Sequence, residues 1–293
     1  MHKKEFENYL LSEKRFSINT VTAYLNDLNQ FFDFITNSYG VLLISEINHK
    51  HIRAWLVCLV TDVGISNSSV NRKMSSIKTY YRFLSLSEIV VANPTAKVIV
   101  PKVGKRLPEF VGQSSMDKLL NEGMFSDDFE GCRDHLILEM LYQTGIRLSE
   151  LISITVDDVQ SAKGYIKVLG KRNKQRIVPV NVELLNLCSQ YLSFRSEINV
   201  ETNLLLITKK GRAVYPKLIY KTVNSYLGKV STVSKKSPHI LRHTFATHML
   251  NNGADLNSIK ELLGHANLSA TQVYTHNSFE KLKSIYNQAH PRA

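Results

Sequence analysis

The chain has 293 residues, 43% hydrophobic and 21% charged, which is enough apolar sequence for a packed core and argues against wholesale disorder. Its formal net charge is +12 with a pI near 9.5, a surplus that attracts polyanions and makes nucleic acid the leading ligand class. The three cysteines, Cys58, Cys132 and Cys188, form no C-x-x-C pair, so neither a disulfide framework nor a cysteine zinc site is expected. The first thirty residues hold no signal-type apolar run. No stretch approaches the ~18 apolar residues of a membrane span, so a cytoplasmic protein without a span is expected.

The first hundred residues read as helical. Tyr24, Leu28, Phe31 and Ile35 recur at helical spacing, with Asn26, Asp27 and Asn29 on other faces. Val70, Met74, Ile77, Tyr81 and Leu84 repeat the pattern after a serine-rich start at Ser66 to Ser69. Arg72, Lys73, Lys78 and Arg82 cover the rest of that second helix. Such a face suits phosphate contacts, and equally a merely solvated surface.

Residues 93–112 interrupt this rhythm with Pro94, Pro101 and Pro108 and with the cations Lys102, Lys105 and Arg106. Proline fixes φ and removes a donor, so an extended basic linker is expected, between a helical domain at 1–92 and a second domain at 113–293. Residues 1–100 carry 11 Lys and Arg against 8 Asp and Glu, and the remainder 26 against 17. Both halves are basic, so both can grip one polyanion.

The second domain mixes classes. GCRDHLILEMLYQTG reads as a helix with Leu136, Met140 and Leu141 inward, stopped by Gly145, and IRLSELISIT starts a short helix. GYIKVLGKRNKQRIVPV reads as a β-hairpin with a basic connection. From Pro238 the chain is helical again. Asp255 is placed to cap LNSIKELL, Gly264 to end it, and a last short helix is expected over SATQVYTH.

Several residues could carry chemistry. Arg147 offers a planar, permanently charged fork that matches phosphate oxygens, although a lone arginine is usually only a surface residue. His239, Arg242 and His243 can share one helix face. A metal reading of His239, His243 and His248 is weak, because no H-E-x-x-H pattern or carboxylate accompanies them and Arg242 would repel a dication. Lys171, in the hairpin connection, could donate a proton to a leaving oxygen; the competing reading is a basic loop that only touches DNA backbone, as Arg172, Lys174 and Arg176 are expected to do. Tyr274 lies nine residues after His265. A free tyrosine, with pKa near ~10, is a poor nucleophile unless neighbours stabilise its oxyanion.

Taken together, TGIRLSEL, GKRNKQR, HILRHTFATH, LLGHANLS and QVYTH resemble the tyrosine recombinase (phage integrase) family, most closely its Xer-type branch. Arg172 departs from the small residue usual after the lysine. The resemblance implies a mainly α fold with a small antiparallel β-sheet in the catalytic domain. It implies a DNA clamp made of a helical, SAM-like core-binding domain and a mixed α/β catalytic domain. It also implies roles. Tyr274 would form a 3′-phosphotyrosyl link, Arg147 and Arg242 would stabilise the non-bridging oxygens, and Lys171 would be the general acid. His239 would assist proton transfer and His265 would bind the phosphate. Arg72, Lys73, Lys102, Lys105, Arg106, Arg172, Lys174 and Arg176 would contact DNA. No cofactor or metal is implied.

The expected function is site-specific recombination through a Holliday junction, in chromosome-dimer resolution or alternatively in integration of a mobile element. A type IB topoisomerase-like enzyme and an inactive DNA-binding accessory protein are the rival readings. Expected partners are double-stranded DNA and further protomers, in a homotetramer or in a heterotetramer with a second recombinase. The tail helix, with its stripe of Phe279, Leu282 and Tyr286, is expected to dock on a neighbouring protomer.

Overall fold

The structure, a computed structural model, describes residues 2–40, 43–104, 109–170, 174–264 and 276–292. The chain parts into two compact units, Met1–Arg106 and Leu107–Ala293.

The first unit is helical: α1 (Lys3–Asn8), α2 (Ile18–Tyr39), α3 (His49–Thr61) and α4 (Asn67–Leu86). Polar side chains start three of these helices by accepting otherwise unpaired amides: Ser17 from Thr20, Asn48 from Lys50, and Ser66 from Ser69. Leu28, Phe31 and Ile35 of α2 meet Trp55 of α3 and Val70, Met74, Ile77, Tyr81 and Leu84 of α4 in one buried core. Tyr24 sits at its rim, edge-on to Phe16 at 5.7 Å.

Asp27 departs from expectation. It is 2% exposed, and its carboxylate accepts from Arg72 (2.7 and 2.8 Å), Lys73 (2.9 Å) and Ser76 (2.8 Å). A buried carboxylate is tolerable only when paired, and α4 supplies all three donors. Burial opposes its charge, yet these bonds hold its pKa below the ordinary carboxylate value. Two cations expected to face DNA are thus engaged inside the unit, with half of the Arg72 side chain still exposed. Lys78 and Arg82 point to solvent. The proline-bearing segment begins against this unit: Thr95 and Val98 are buried, and Asn71 and Asn67 donate to the carbonyls of Pro101 and Lys102.

The second unit is built on α6 (Phe129–Thr144), which follows α5 (Gln113–Leu119) and is capped by Asp128. One apolar face was expected. Instead α6 is buried on nearly every side, Arg133, Glu139 and Gln143 included, so it is the central strut rather than a surface helix. Around it run α7 (Leu148–Ser153), β1 (Val159–Gln160), β2 (Tyr165–Leu169), β3 (Gln175–Pro179), α8 (Val182–Ser196), α9 (Pro216–Val230), α10 (Pro238–Asn251), α11 (Leu256–Leu263) and α12 (His276–Ala289). The strands form one antiparallel sheet in chain order, β2 and β3 pairing from Tyr165↔Pro179 to Leu169↔Gln175. The hairpin stands where the sequence put it, with β1 added at its edge. Among the described residues no helix is long and apolar enough to cross a membrane.

Within the single chain, Leu282 and Tyr286 of α12 are buried against Phe245, Met249, Ile259, Leu262 and Leu263 of α10 and α11. Phe279 lies edge-on to Tyr165 of β2. The groove between these elements offers the apolar cover that so narrow a helix face requires.

Just beyond, His290 is 4% exposed among Tyr142, Phe245 and Tyr286, and burial pushes its pKa down to about 3. Above the ordinary histidine value of 6.5, folded and unfolded chains are both neutral at this site. As the pH falls below that value, the unfolded chain takes up a proton that the folded chain refuses. Stability is therefore lost progressively toward acid, by about 2 kcal/mol between pH 7 and pH 5. Urea titrations at both pH values should show this loss, and His290→Gln should remove most of it. An equal loss in the variant would refute the assignment.

Candidate active site

Arg147 owes its place to the turn between α6 and α7. Gly145 ends α6 in the left-handed region (φ 58°), and a Cβ there would stand 2.6 Å from Phe245 and 2.7 Å from Leu263. Only glycine fits both the conformation and the close approach. Ile146 anchors the turn in the core, and Arg147 then opens α7 with its side chain 28% exposed. Its Nη1 donates to Glu150 Oε1 at 2.6 Å, its backbone N–H to Glu150 Oε2 at 2.8 Å, and its Nη2 to the Gly264 carbonyl at 3.3 Å.

Arg242 reaches the same place from α10. Its Nη1 donates to the Gly145 carbonyl at 2.6 Å and its Nη2 to the Leu263 carbonyl at 2.8 Å. Two guanidiniums, 95 residues apart in sequence, are thereby moored to adjacent carbonyls at the carboxyl end of α11. That end suits cations, because the helix dipole and unpaired carbonyls make it partly negative. Burial, then the charge of Arg147, pushes the Arg242 pKa down to about 10, still well above neutrality. The cluster therefore carries positive charge at pH 7, and it suits a phosphate diester.

Glu150 is the functional residue that the sequence reading missed. It is 3% exposed and serves Arg147 and Arg176 together. Burial opposes its charge, but the bonds and charge of Arg176, followed by those of Arg147, outweigh that and leave its pKa at about 2. A signal existed: an acidic residue three positions after the start of a helix is a capping-box pattern.

Arg176, expected on the DNA backbone, is only 6% exposed. Its guanidinium is committed to Glu150 (3.0 and 2.8 Å) and to the Leu262 carbonyl (3.0 Å), so it has no free face for phosphate. Lys174 and Lys102 are exposed. His239 is exposed in the first turn of α10, three residues before Arg242, and His243 is half-buried. His248 turns inward, its Nδ1 2.8 Å from the Tyr142 hydroxyl. Among the described residues no group of three His, Cys, Asp or Glu side chains is arranged to hold a metal.

Lys171, Arg172, His265, Tyr274, Lys105 and Arg106, and the short helix expected over SATQVYTH up to Thr275, lie outside the described residues. Their described neighbours are well anchored. Gly170 N–H donates to the Lys174 carbonyl at 2.8 Å, closing the hairpin behind Lys171. Asp255 caps α11 through Asn257 and Ser258, and Gly264 ends it in the left-handed region (φ 65°), one residue before His265.

Comparison with known proteins bears on the whole chain. Residues 4–87 match the phage integrase N-terminal SAM-like domain, and residues 110–281 match the phage integrase family. The tyrosine recombinase XerC of Chlorobaculum tepidum is 38% identical over 99% of this chain and 94% of its own length. That of Listeria welshimeri is 38% identical over 99% of this chain and 98% of its own. Among solved structures, the XerH site-specific recombinase bound to its difH substrate aligns with a TM-score of 0.71 at 21% identity, over 97% of this chain and 84% of that one. A lambda integrase(75-356) dimer bound to a COC′ core site aligns with a TM-score of 0.67 at 15% identity, over 93% and 98%.

Proposed function

The chain belongs to the phage integrase family and is a tyrosine recombinase, and from that premise we propose that it recombines DNA at a specific site through Tyr274. The tyrosine oxygen attacks the scissile phosphorus as the bond to the 5′ oxygen breaks. A 3′-phosphotyrosyl link forms, and the departing strand end takes a proton from Lys171 to become a 5′-hydroxyl. His239 accepts the tyrosine proton, and His265 hydrogen-bonds the phosphate. Arg147 and Arg242 neutralise the charge that builds on the non-bridging oxygens. A 5′-hydroxyl from the partner duplex then attacks the link, restores the phosphodiester and frees the tyrosine. One bond is made for each bond broken, so no ATP is needed, and Arg147, Arg242 and Lys171 supply the charge neutralisation and the proton that a metal site would otherwise give.

The observation that carries this reading is the mooring of Arg147 and Arg242 on adjacent carbonyls, immediately before His265. A fixed pair of guanidiniums is the electrostatic half of a phosphoryl-transfer site. We assign residues 1–92 to DNA core binding and 113–293 to catalysis, with the segment between them, Lys102, Lys105 and Arg106 included, lying along phosphates. Arg172 and Lys174 on the hairpin grip DNA too, as does the exposed half of the Arg72 side chain. The working form is a tetramer on two duplexes, made of identical chains or shared with a second recombinase, in the cytoplasm. Its role is resolution of chromosome dimers. Sequencing the DNA trapped covalently on the chain in its own cells tests this: one chromosomal site with two inverted half-sites is expected. Trapping only at the ends of a mobile element would instead assign the chain to integration.

A further inference from the structure

One buried charge pair is left over once the groups that face phosphate are assigned. Glu150 and Arg176 are 3% and 6% exposed, and they lie on different elements, α7 and β3. The carboxylate is saturated. Oε1 accepts from Arg147 Nη1 and Arg176 Nη1, and Oε2 accepts from Arg147 N–H and Arg176 Nη2. The remaining nitrogen of the Arg176 fork, Nε, donates to the Leu262 carbonyl on α11. Glycines let the pair be approached from two sides. A Cβ at Gly264 would stand 3.0 to 3.2 Å from the Arg176 side chain, and one at Gly170 would stand 3.7 Å from Arg176 Nη1.

We propose that Arg176 is a positioning residue for strand cleavage: its fork on Glu150 and its bond to Leu262 lock α7, the β2–β3 hairpin and the end of α11 together. Arg147 is thereby held in register with Arg242. The inference rests on the recombinase reading of this site and adds a residue that touches no DNA. Two physical consequences follow. First, three elements that carry or adjoin Arg147, Lys171 and His265 share one buried anchor, so a shift of any of them displaces the others. Second, Glu150 divides its single negative charge between two guanidiniums. Without Arg176 it would draw Arg147 wholly to itself and weaken the positive field offered to phosphate. Lysine cannot replace the fork, because it carries a point charge and cannot meet two carboxylate oxygens and a carbonyl at once.

The test measures covalent adduct formation by the full chain on nicked duplexes carrying the trapped site. The scissile group is either the natural phosphate or a neutral methylphosphonate, which needs no charge neutralised. Arg176→Met should form adduct about 100-fold more slowly on phosphate, with DNA affinity within about twofold. On methylphosphonate the deficit should shrink to less than about tenfold, because the charge that Arg147 opposes is gone. An equal deficit on both substrates, or a loss confined to DNA affinity, would overturn the positioning role. Should Arg176→Met fail to fold, Arg176→Lys decides: a clear slowing on phosphate, relieved on methylphosphonate, supports the role, and an unchanged rate overturns it. An unaltered chain that forms no adduct on either substrate would sink the recombinase reading and this inference with it. An adduct from the unaltered chain with no substrate-dependent deficit would remove only the inference.

Discussion

Replacing Tyr274 with phenylalanine is expected to abolish the covalent protein–DNA adduct while leaving DNA affinity within about twofold of the unaltered chain. The substitution removes one oxygen and keeps the ring, so packing and charge are nearly unchanged. What disappears is the atom that would bond to phosphorus. Arg147 and Arg242 cannot take over, because a guanidinium carries no nucleophilic lone pair at neutral pH. The expected loss is on the order of 10⁴-fold or more, as for any enzyme deprived of its covalent nucleophile. Gel-resolved adduct on a nicked suicide duplex measures it. Adduct persisting at the original rate would assign the nucleophile elsewhere.

The next largest effect is expected at the two arginines. Arg147→Ala and Arg242→Ala should each slow adduct formation by about 10² to 10³-fold, the cost of one lost donor to a developing oxyanion. Their combination should cost much less than the product of the two, because both act on one phosphate and share an anchorage. The variants should differ in stability. Arg242→Ala leaves the Gly145 and Leu263 carbonyls without their donor in a half-buried place, whereas Arg147→Ala leaves Glu150 still bonded to Arg176. Thermal unfolding should therefore separate them, with Arg242→Ala the less stable. Single-turnover adduct rates at saturating protein isolate the chemical loss. Deficits that vanish at saturation would place both residues in DNA binding alone.

Much of the fold follows from local rules that the sequence displays. The helical spacing of α2 and α4, their serine caps, the hairpin, and the glycine stops at 145 and 264 all depend on near neighbours. Asp27 shows where such reading fails. Its partners come from 45 and more residues away, so a residue that looks like part of a polar face is buried by contacts that spacing cannot reveal. Arg176 was misread for a nearer reason. Grouped with the other cations of GKRNKQR it looks like loop, yet in β3 it shares the inward face with Val178. Strand alternation carried back from Val178 to Arg176, the first residue of RIVPV, turns it inside. Helix α9 was equally open to view, with Ile219, Val223 and Leu227 recurring every four residues. The site is different in kind. That Arg147 and Arg242 meet could not be derived from their separation along the chain; family resemblance suggested it, and the carbonyls of Gly145, Leu263 and Gly264 give it a physical basis.

The most direct test of the central claim is to identify the residue that carries the DNA. Adduct formed in EDTA by the unaltered chain on nicked duplex is digested with trypsin and nuclease, and the modified peptide is read by mass spectrometry. The account predicts a nucleotide 3′-phosphate on the peptide spanning residues 261–281, attached at Tyr274. Attachment at any other residue, or an adduct that forms only when a divalent metal is restored, would contradict it.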